Sequence, residues 1–213
     1  MSAIADKILH HSATERRRRG AAWLAFNACR VVRVGWHNLL AHFISLLGSV
    51  STPGMKPIGF LQAWALRRMG ATCPANSIWI GPRIALDFPA GLVLGRRVVI
   101  GADARLTARA PIRIGDDFLS APGLWINTGT HDIDTLLPQE GPITIASGVW
   151  CGTRVTICAG VSIGAGAVVG AGSLVISSLP AGHLAVGVPC RPLRPTAGTA
   201  PDAPARWSNF RTS

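Results

Sequence analysis

Aliphatic residues or cysteine recur at every sixth position from Ile145 to Val175, through Ile145, Cys151, Ile157, Ile163, Val169 and Val175. A second series follows four residues after each of these, at Val149, Val155, Val161, Ala167 and Ser173. Between them lie mostly Gly, Ala, Ser and Thr, and Arg154 is the only formal charge. A strand alternates with a period of about 2 and an α-helix turns with a period of about 3.6, so neither alone gives this spacing. A short strand plus a tight corner consumes about six residues, and three such units return the chain to its start, as in a hexapeptide-repeat β-helix. The phased series then points inward and the glycines fall at corners, where φ is free to be positive. A Gly/Ser linker carries no phased aliphatic series. The pattern predicts an all-β core, a parallel β-helix of hexapeptide repeats.

The same rhythm begins upstream. Strand character starts at Ser77 with Ile78, Ile80 and Ile84, and becomes phased at Leu94, Ile100 and Leu106, with Val98 and Ala104 in the second series. Two extra residues intervene before Ile114, Ser120 and Ile126 resume it, followed by Phe118, Leu124 and Thr130 as second-series positions. Between Ile126 and Ile145 the spacing is one residue too long, and the segment from His131 to Pro142 (HDIDTLLPQEGP) does not fit. A loop held out of a rigid, monotonous stack is where function is expected. After Val175 the repeats fade, and the tail from Thr196 is rich in Ala and Pro, loose, with Trp207 and Phe210 able to dock locally.

Ahead of the repeats the pattern is helical. Residues 1–20 form a polar arm ending in Glu15 and Arg16 to Arg19. From Ala21 to about Val50 the chain is apolar, interrupted by Arg30, Arg33, His37, Asn38 and His42. Asn38, His42, Ser45 and Ser51 mark one polar stripe, so the segment reads as an amphipathic helix rather than a membrane span. Two readings of it stand: a helix packed on the main domain or a neighbouring subunit, and an interfacial helix whose Arg cluster faces anionic lipid. Ser51 to Lys56 is a break, and Gly59 to Met69 predicts a second helix with Gly70 as its C-cap. The organisation is therefore a basic, partly helical extension over 1–75, a β-helix domain over 76–186 and a C-terminal segment over 187–213.

Composition narrows this further. The chain of 213 residues is 48% hydrophobic and 15% charged, with net charge +11. Only Lys7 and Lys56 are lysines, and residues 1–70 carry ten Lys and Arg against Asp6 and Glu15. A basic surface serves nucleic acid, anionic lipid or phosphorylated substrates, but no RNP-like, finger or helix-turn-helix pattern supports nucleic acid. The five cysteines form no CxxC pair and read as inert thiols of a reducing compartment. The N-terminus has no apolar core beside its charges and does not read as a secretory signal, so a cytoplasmic location is expected.

The chemistry concentrates on His131, the only His between His42 and His183. An imidazole near neutral pH takes a proton from a hydroxyl. A metal site needs several His or Cys converging, and the repeat has one His, so no metal is expected.

Three segments carry a resemblance: PIRIGDDFLSAPGLWINTGTHDID, GPITIASGVWCGTRVTICAGVSIGAGAVVGAGSLV and AVGVPCRPLR. They are similar to the hexapeptide-repeat acyltransferases, in particular the maltose and galactoside O-acetyltransferases and the colanic-acid type of polysaccharide O-acetyltransferase. The resemblance covers roughly Leu94 to Arg194. It implies a left-handed β-helix, a homotrimer, and acetyl-CoA as acyl donor in the groove between neighbouring β-helices. It implies direct transfer in a ternary complex, with His131 as general base on an acceptor hydroxyl and a backbone N–H stabilising the oxyanion. Trp150 matches the family's Trp beside the acetyl and pantetheine region. Thr153, Gly160, Ala171 and Gly172 match coil positions that contact the CoA arm, and Arg191 matches the residue near the adenosine 3′-phosphate. On the acceptor side the resemblance points to Asp103, Asp132 and Trp150. Two departures stand out: Asp103 replaces an Asn that orients the acceptor, and Ser177–Ser178 replace a Lys-Asp pair. The expected function is an acetyl-CoA-dependent O-acetyltransferase acting on a sugar of a surface polysaccharide or its lipid-linked precursor, peripheral to the membrane if residues 1–75 touch it. The alternatives are a small acceptor (serine, an antibiotic, a free or nucleotide-linked sugar or amino sugar) and a catalytically silent assembly subunit.

Overall fold

The computed structural model describes residues 32, 35–51, 53, 55–75 and 77–196. The polar arm with Arg16 to Arg19, the apolar run before residue 32, and the tail with Trp207 and Phe210 lie outside the described residues. Two compact units divide the chain, Met1–Leu39 and Leu40–Ser213. In the first, residues 32 and 35–39 are helical.

The second unit is a left-handed parallel β-helix. Its first face stacks β1 (Ile78–Ile80), β4 (Val98–Ile100), β7 (Leu119–Ser120), β12 (Trp150–Cys151), β15 (Val168–Val169) and β17 (His183–Gly187), with β18 (Cys190–Pro195) turning back antiparallel on β17. The second face stacks β2 (Ala85–Asp87), β5 (Arg105–Thr107), β8 (Trp125–Asn127), β13 (Thr156–Ile157) and β16 (Leu174–Val175). The third stacks β3 (Leu92–Leu94), β6 (Ile112–Ile114), β11 (Ile143–Ile145) and β14 (Ser162–Ile163). Each strand is only two or three residues long on these three faces, apart from β17 and β18, and pairs with the strand one coil away, so residues in the same slot of successive coils touch.

That stacking explains the six-residue phase. Every member of both series from Ile145 to Val175 is at most 1% exposed. Ile157, for example, sits between Ile126 below and Val175 above in register. Ile157→Ala removes three carbons from a slot closed on both sides. We expect a loss of about 2–5 kcal/mol of unfolding free energy, read by denaturant titration with an unchanged m-value.

Three polar residues occupy inward slots and each is satisfied by a neighbouring coil. Ser120 accepts from Gly101 N–H at 3.1 Å, and Ser173 accepts from Gly187 N–H at 3.1 Å. Thr128 accepts from Ala110 N–H and donates to the Thr107 carbonyl, both at 3.0 Å. Here the hexad phase misleads. Thr130, expected as a second-series position, is exposed, and Thr128 is the buried residue. The chain leaves the stack at this corner two residues earlier than the phase implies, and the Thr128 hydroxyl fixes the point of departure.

The corners carry a second surprise. Left-handed φ is costly for residues with a Cβ, yet Arg83, Arg97, Asp103, Asp117 and Arg154 all have φ between 54° and 59°. They fill the same corner slots as glycines elsewhere in the stack: Asp103, Arg154 and Gly172 hydrogen-bond in one column, Asp117, Gly148 and Gly166 in another. Arg83 pairs with both carboxylate oxygens of Asp103 at 2.6 Å, and Arg97 pairs likewise with Asp117 one coil on.

Two helices close the first coil. Residues 40–49 form α1, with Leu40, Ile44 and Gly48 buried along one line. Helix α2 spans Lys56–Arg68. It starts three residues before the expected Gly59, because Pro57 in the first turn lacks an N–H that would have no helical partner anyway. Its cap is Met69, and Gly70 follows at φ 97° in a Schellman turn, with Ala71 N–H on the Leu66 carbonyl and Gly70 N–H on that of Arg67, both 3.0 Å. Gln62 of α2 is wholly buried and donates to the Ile44 and Ile80 carbonyls while accepting from Ile80 N–H. The unpaired edge of β1 at Ile80 is thus closed by one side-chain amide.

Candidate active site

The excursion from the stack is a β-hairpin. Strands β9 (Gly129–His131) and β10 (Pro138–Glu140) pair antiparallel, with His131 opposite Pro138. It leaves from the corner between the second and third faces and returns to Ile143. His131 stands where the loop begins, exposed to solvent. Among the described residues its imidazole has no hydrogen-bond partner, so both ring nitrogens are available to a substrate.

The loop beyond it is ordered by Asp132. One carboxylate oxygen accepts from the N–H of Asp134 at 3.2 Å and from the N–H and hydroxyl of Thr135, both at 2.8 Å. The other accepts from Gln139 Nε2 at 3.1 Å. The Asp132 carboxyl is held below the usual carboxylate range, chiefly by the Thr135 N–H and then by the Thr135 hydroxyl. The sign follows: the carboxylate's contribution is complete above the ordinary carboxyl pKa and is lost as pH falls through the lower folded value. Asp132→Asn is expected to speed amide exchange across residues 132–137 at neutral pH, corrected for intrinsic rates, and to remove the acid-dependent loosening of the native loop.

The remaining candidates fall into separate places. Asp103, Thr153, Ala171 and Gly172 lie in one corner column, between the first and second faces. Asp103 already holds Arg83, and its carboxyl is lowered by that bond. Gly160 and Gly172 take φ of 78° and 71°, and a Cβ on either would meet nothing within 4 Å. Their space is open, and the backbone conformation alone accounts for glycine. Trp150 is 41% exposed on the outer side of the first face, in register with Leu119 and Val168. Arg191 is exposed on β18 and donates to Ser177 Oγ at 3.3 Å. Within one chain, then, His131 and Trp150 stand on different sides of the prism.

The thiols among the described residues are poor nucleophiles. Burial, with Cys190 adding to it, pushes Cys151 up to about 12. Burial also raises Cys73, Cys158 and Cys190, which argues against an acyl-cysteine intermediate at neutral pH. Among the described residues no three His, Cys, Asp or Glu converge as a metal site.

Sequence reasoning did not single out the aromatic–cation pairs beside the hairpin. Arg105 lies 5.5 Å from the ring centroid of Trp125, and Arg109 lies 4.7 Å from that of Phe88. The signal that could have found them is the coil length, since Arg105 and Trp125 are register partners.

A parallel β-helix of this kind is shared with acetyltransferases of known structure. The galactoside O-acetyltransferase of Escherichia coli K12 is 33% identical over 134 residues, 61% of this chain and 66% of that enzyme. The protein named "Putative acetyltransferase YJL218W" of Saccharomyces cerevisiae is 33% identical over 138 residues, 62% of this chain and 70% of that protein. A hexapeptide-repeat-containing acetyltransferase of Vibrio cholerae, solved in complex with acetyl-CoA, superposes with a TM-score of 0.61 at 26% identity, over 76% of this chain and 87% of that one. No family model matches the chain. The chain belongs to the hexapeptide-repeat acetyltransferases.

Proposed function

We propose that this protein transfers an acetyl group from acetyl-CoA to a hydroxyl of a sugar, in a surface polysaccharide or its lipid-linked precursor, with His131 as general base. The observation that carries the reading is the exposed, unpartnered imidazole at the root of the hairpin. His131 accepts the hydroxyl proton as that oxygen bonds to the thioester carbonyl carbon, and returns it to the sulfur of the departing CoA. Acetyl-CoA supplies the activated acyl group. The residues present suit its arm: the open coil corners at Gly160 and Gly172 and the exposed ring of Trp150. Arg191 beside Ser177 offers a cation for a phosphate.

Because His131 and Trp150 are apart within one chain, the complete site needs a second copy, which the homotrimer implied by the resemblance supplies. The outer row of the first face is apolar, running through Trp79, Val99, Leu119, Trp150, Val168 and Leu184, and suits burial against a neighbour. The test is release of CoA thiol from acetyl-CoA with a panel of sugars, serine and amino sugars. Sugar-dependent release, with the product carrying an O-acetyl ester by mass spectrometry and alkaline lability, supports the reading. Release only with serine or an amine overturns the choice of acceptor.

The lipid-linked form of the acceptor is favoured by the surface of α1 and α2. No helix among the described residues is long and apolar enough to cross a membrane. Leu46, Val50, Phe60, Leu61 and Trp64 are nevertheless exposed, next to Lys56, Arg67 and Arg68, and residues 16–86 contain no Asp or Glu. Such a face suits peripheral contact with an anionic membrane. The full chain is expected to float with phosphatidylglycerol vesicles at low salt, to be released at high salt, and to ignore neutral vesicles. Absence from the anionic vesicles removes the membrane part of the proposal.

A further inference from the structure

We infer that the acceptor sugar is anionic, carrying a phosphate or a carboxylate, and that Arg105 and Arg109 bind this charge while Trp125 carries the sugar ring. The inference rests on the acetyl-transfer reading above and names the substrate class of that site. It begins with the strand that leads into His131. Trp125, Asn127 and Gly129 alternate with the buried Ile126 and Thr128, and His131 follows at the same two-residue interval. One coil below, Arg105 and Thr107 are in register with Trp125 and Asn127, and Arg109 follows at the next interval. The two rows make one outer surface of Trp, Asn and two Arg, running toward the hairpin.

Gly129 has no side chain, and a Cβ there would stand 3.1 Å from Arg109 Cδ. The Arg109 stem therefore runs beside the backbone two residues from His131. Both guanidinium groups are exposed and held over an aromatic ring, Arg105 by Trp125 and Arg109 by Phe88. Stacking restrains the guanidinium plane while leaving its N–H fork open. Two other arginines of the stack behave differently. Arg83 and Arg97 are each paired with an aspartate one coil away, whereas neither Arg105 nor Arg109 has an acidic partner among the described residues. Asp87, in register with Thr107 between them, accepts from the Thr107 hydroxyl at 3.2 Å and forms no ion pair with either arginine, so both guanidinium forks remain open to a phosphate or carboxylate. Trp125, 47% exposed on the same surface, offers the flat apolar face on which the C–H side of a pyranose stacks.

The experiment uses the full chain and three matched acceptors: a neutral methyl glycoside, the same sugar as its 1-phosphate, and the corresponding uronic acid. At low ionic strength at least one charged sugar is expected to exceed the neutral one in kcat/KM by about tenfold or more, with salt eroding the difference. The phosphate and uronate arms tell which anion is read. Arg105→Gln and Arg109→Gln are expected to raise KM for the charged acceptor about tenfold each, with KM for acetyl-CoA moving less than about twofold. Calorimetric titration of the sugar phosphate into native and variant protein gives the same comparison without turnover. Equal use of neutral and charged sugars overturns the inference while His131-dependent acetylation leaves the parent reading standing. A rise in KM for acetyl-CoA alone also overturns it, assigning the two arginines to the donor's phosphates. So does failure of the sugar phosphate to bind together with no turnover of any charged acceptor.

Discussion

His131→Ala is expected to lower kcat/KM for acetyl transfer by about 10²- to 10⁴-fold, the usual contribution of a positioned general base. The fold should not change, because the imidazole is exposed and makes no hydrogen bond among the described residues. Circular dichroism and the denaturation midpoint therefore stay at native values. KM for acetyl-CoA also stays, since the imidazole is assigned to the acceptor hydroxyl and not to the arm of the donor. Small imidazole bases added to the variant should restore part of the rate, which no purely structural role predicts. The opposite result, a variant that keeps native kcat/KM, would remove His131 from the chemistry and leave the hairpin as a positioning element only. Asp132 makes a useful control. Its carboxylate is engaged wholly inside the loop, so its loss acts through hairpin order and should yield to no added base.

How far the sequence discloses this molecule depends on whether one residue slot maps to one physical environment. Along the core it does. A hexad position such as Ile145 or Val169 always faces inward, and the aliphatic phase alone identifies the stack. The break at His131 is legible for the same reason, as a failure of that phase. The form of the break is less so, because the chain exits at Thr128, whose hydroxyl passes for a second-series side chain. Corner geometry is encoded in phase but disguised in chemistry. Arg154 stands six residues before Gly160 in the same slot type, yet a charged side chain does not advertise a left-handed backbone. Contacts between coils are the least visible. Arg105 meets Trp125 across 20 positions, a distance fixed by the two-residue insertion that lengthens the early coils. Acceptor recognition depends on such contacts, which is why the sequence points to the reaction more clearly than to its substrate.

A large effect on stability is expected at Gln62, which no periodicity marks. A β-helix must end, and its first strand on each face has unpaired backbone groups. At Ile80 those groups are buried, the residue being 1% exposed. Gln62 meets them as an extra strand would: Oε1 accepts from Ile80 N–H at 2.9 Å and Nε2 donates to the Ile80 carbonyl at 2.7 Å. Its second N–H reaches the Ile44 carbonyl at 3.2 Å and ties α1 to the same point. Gln62→Leu keeps the volume and removes all three bonds. Each buried group left unsatisfied costs about 1–3 kcal/mol, so a total of about 3 kcal/mol or more is expected. For a chain of this size that is about 6–12 °C in Tm at fixed protein concentration. Gln62→Glu separates hydrogen bonding from shape. At neutral pH it buries a carboxylate that cannot donate to either carbonyl and that faces them as a like-signed dipole, so it should be less stable than the leucine variant. Burial raises the folded pKa of such a group above its unfolded value, so the variant should gain stability as pH falls and the carboxyl regains a donor O–H. A Gln62→Glu protein whose Tm, relative to native, stays flat from pH 7 down to pH 5 would mean that the amide's bonds do not hold the first coil shut.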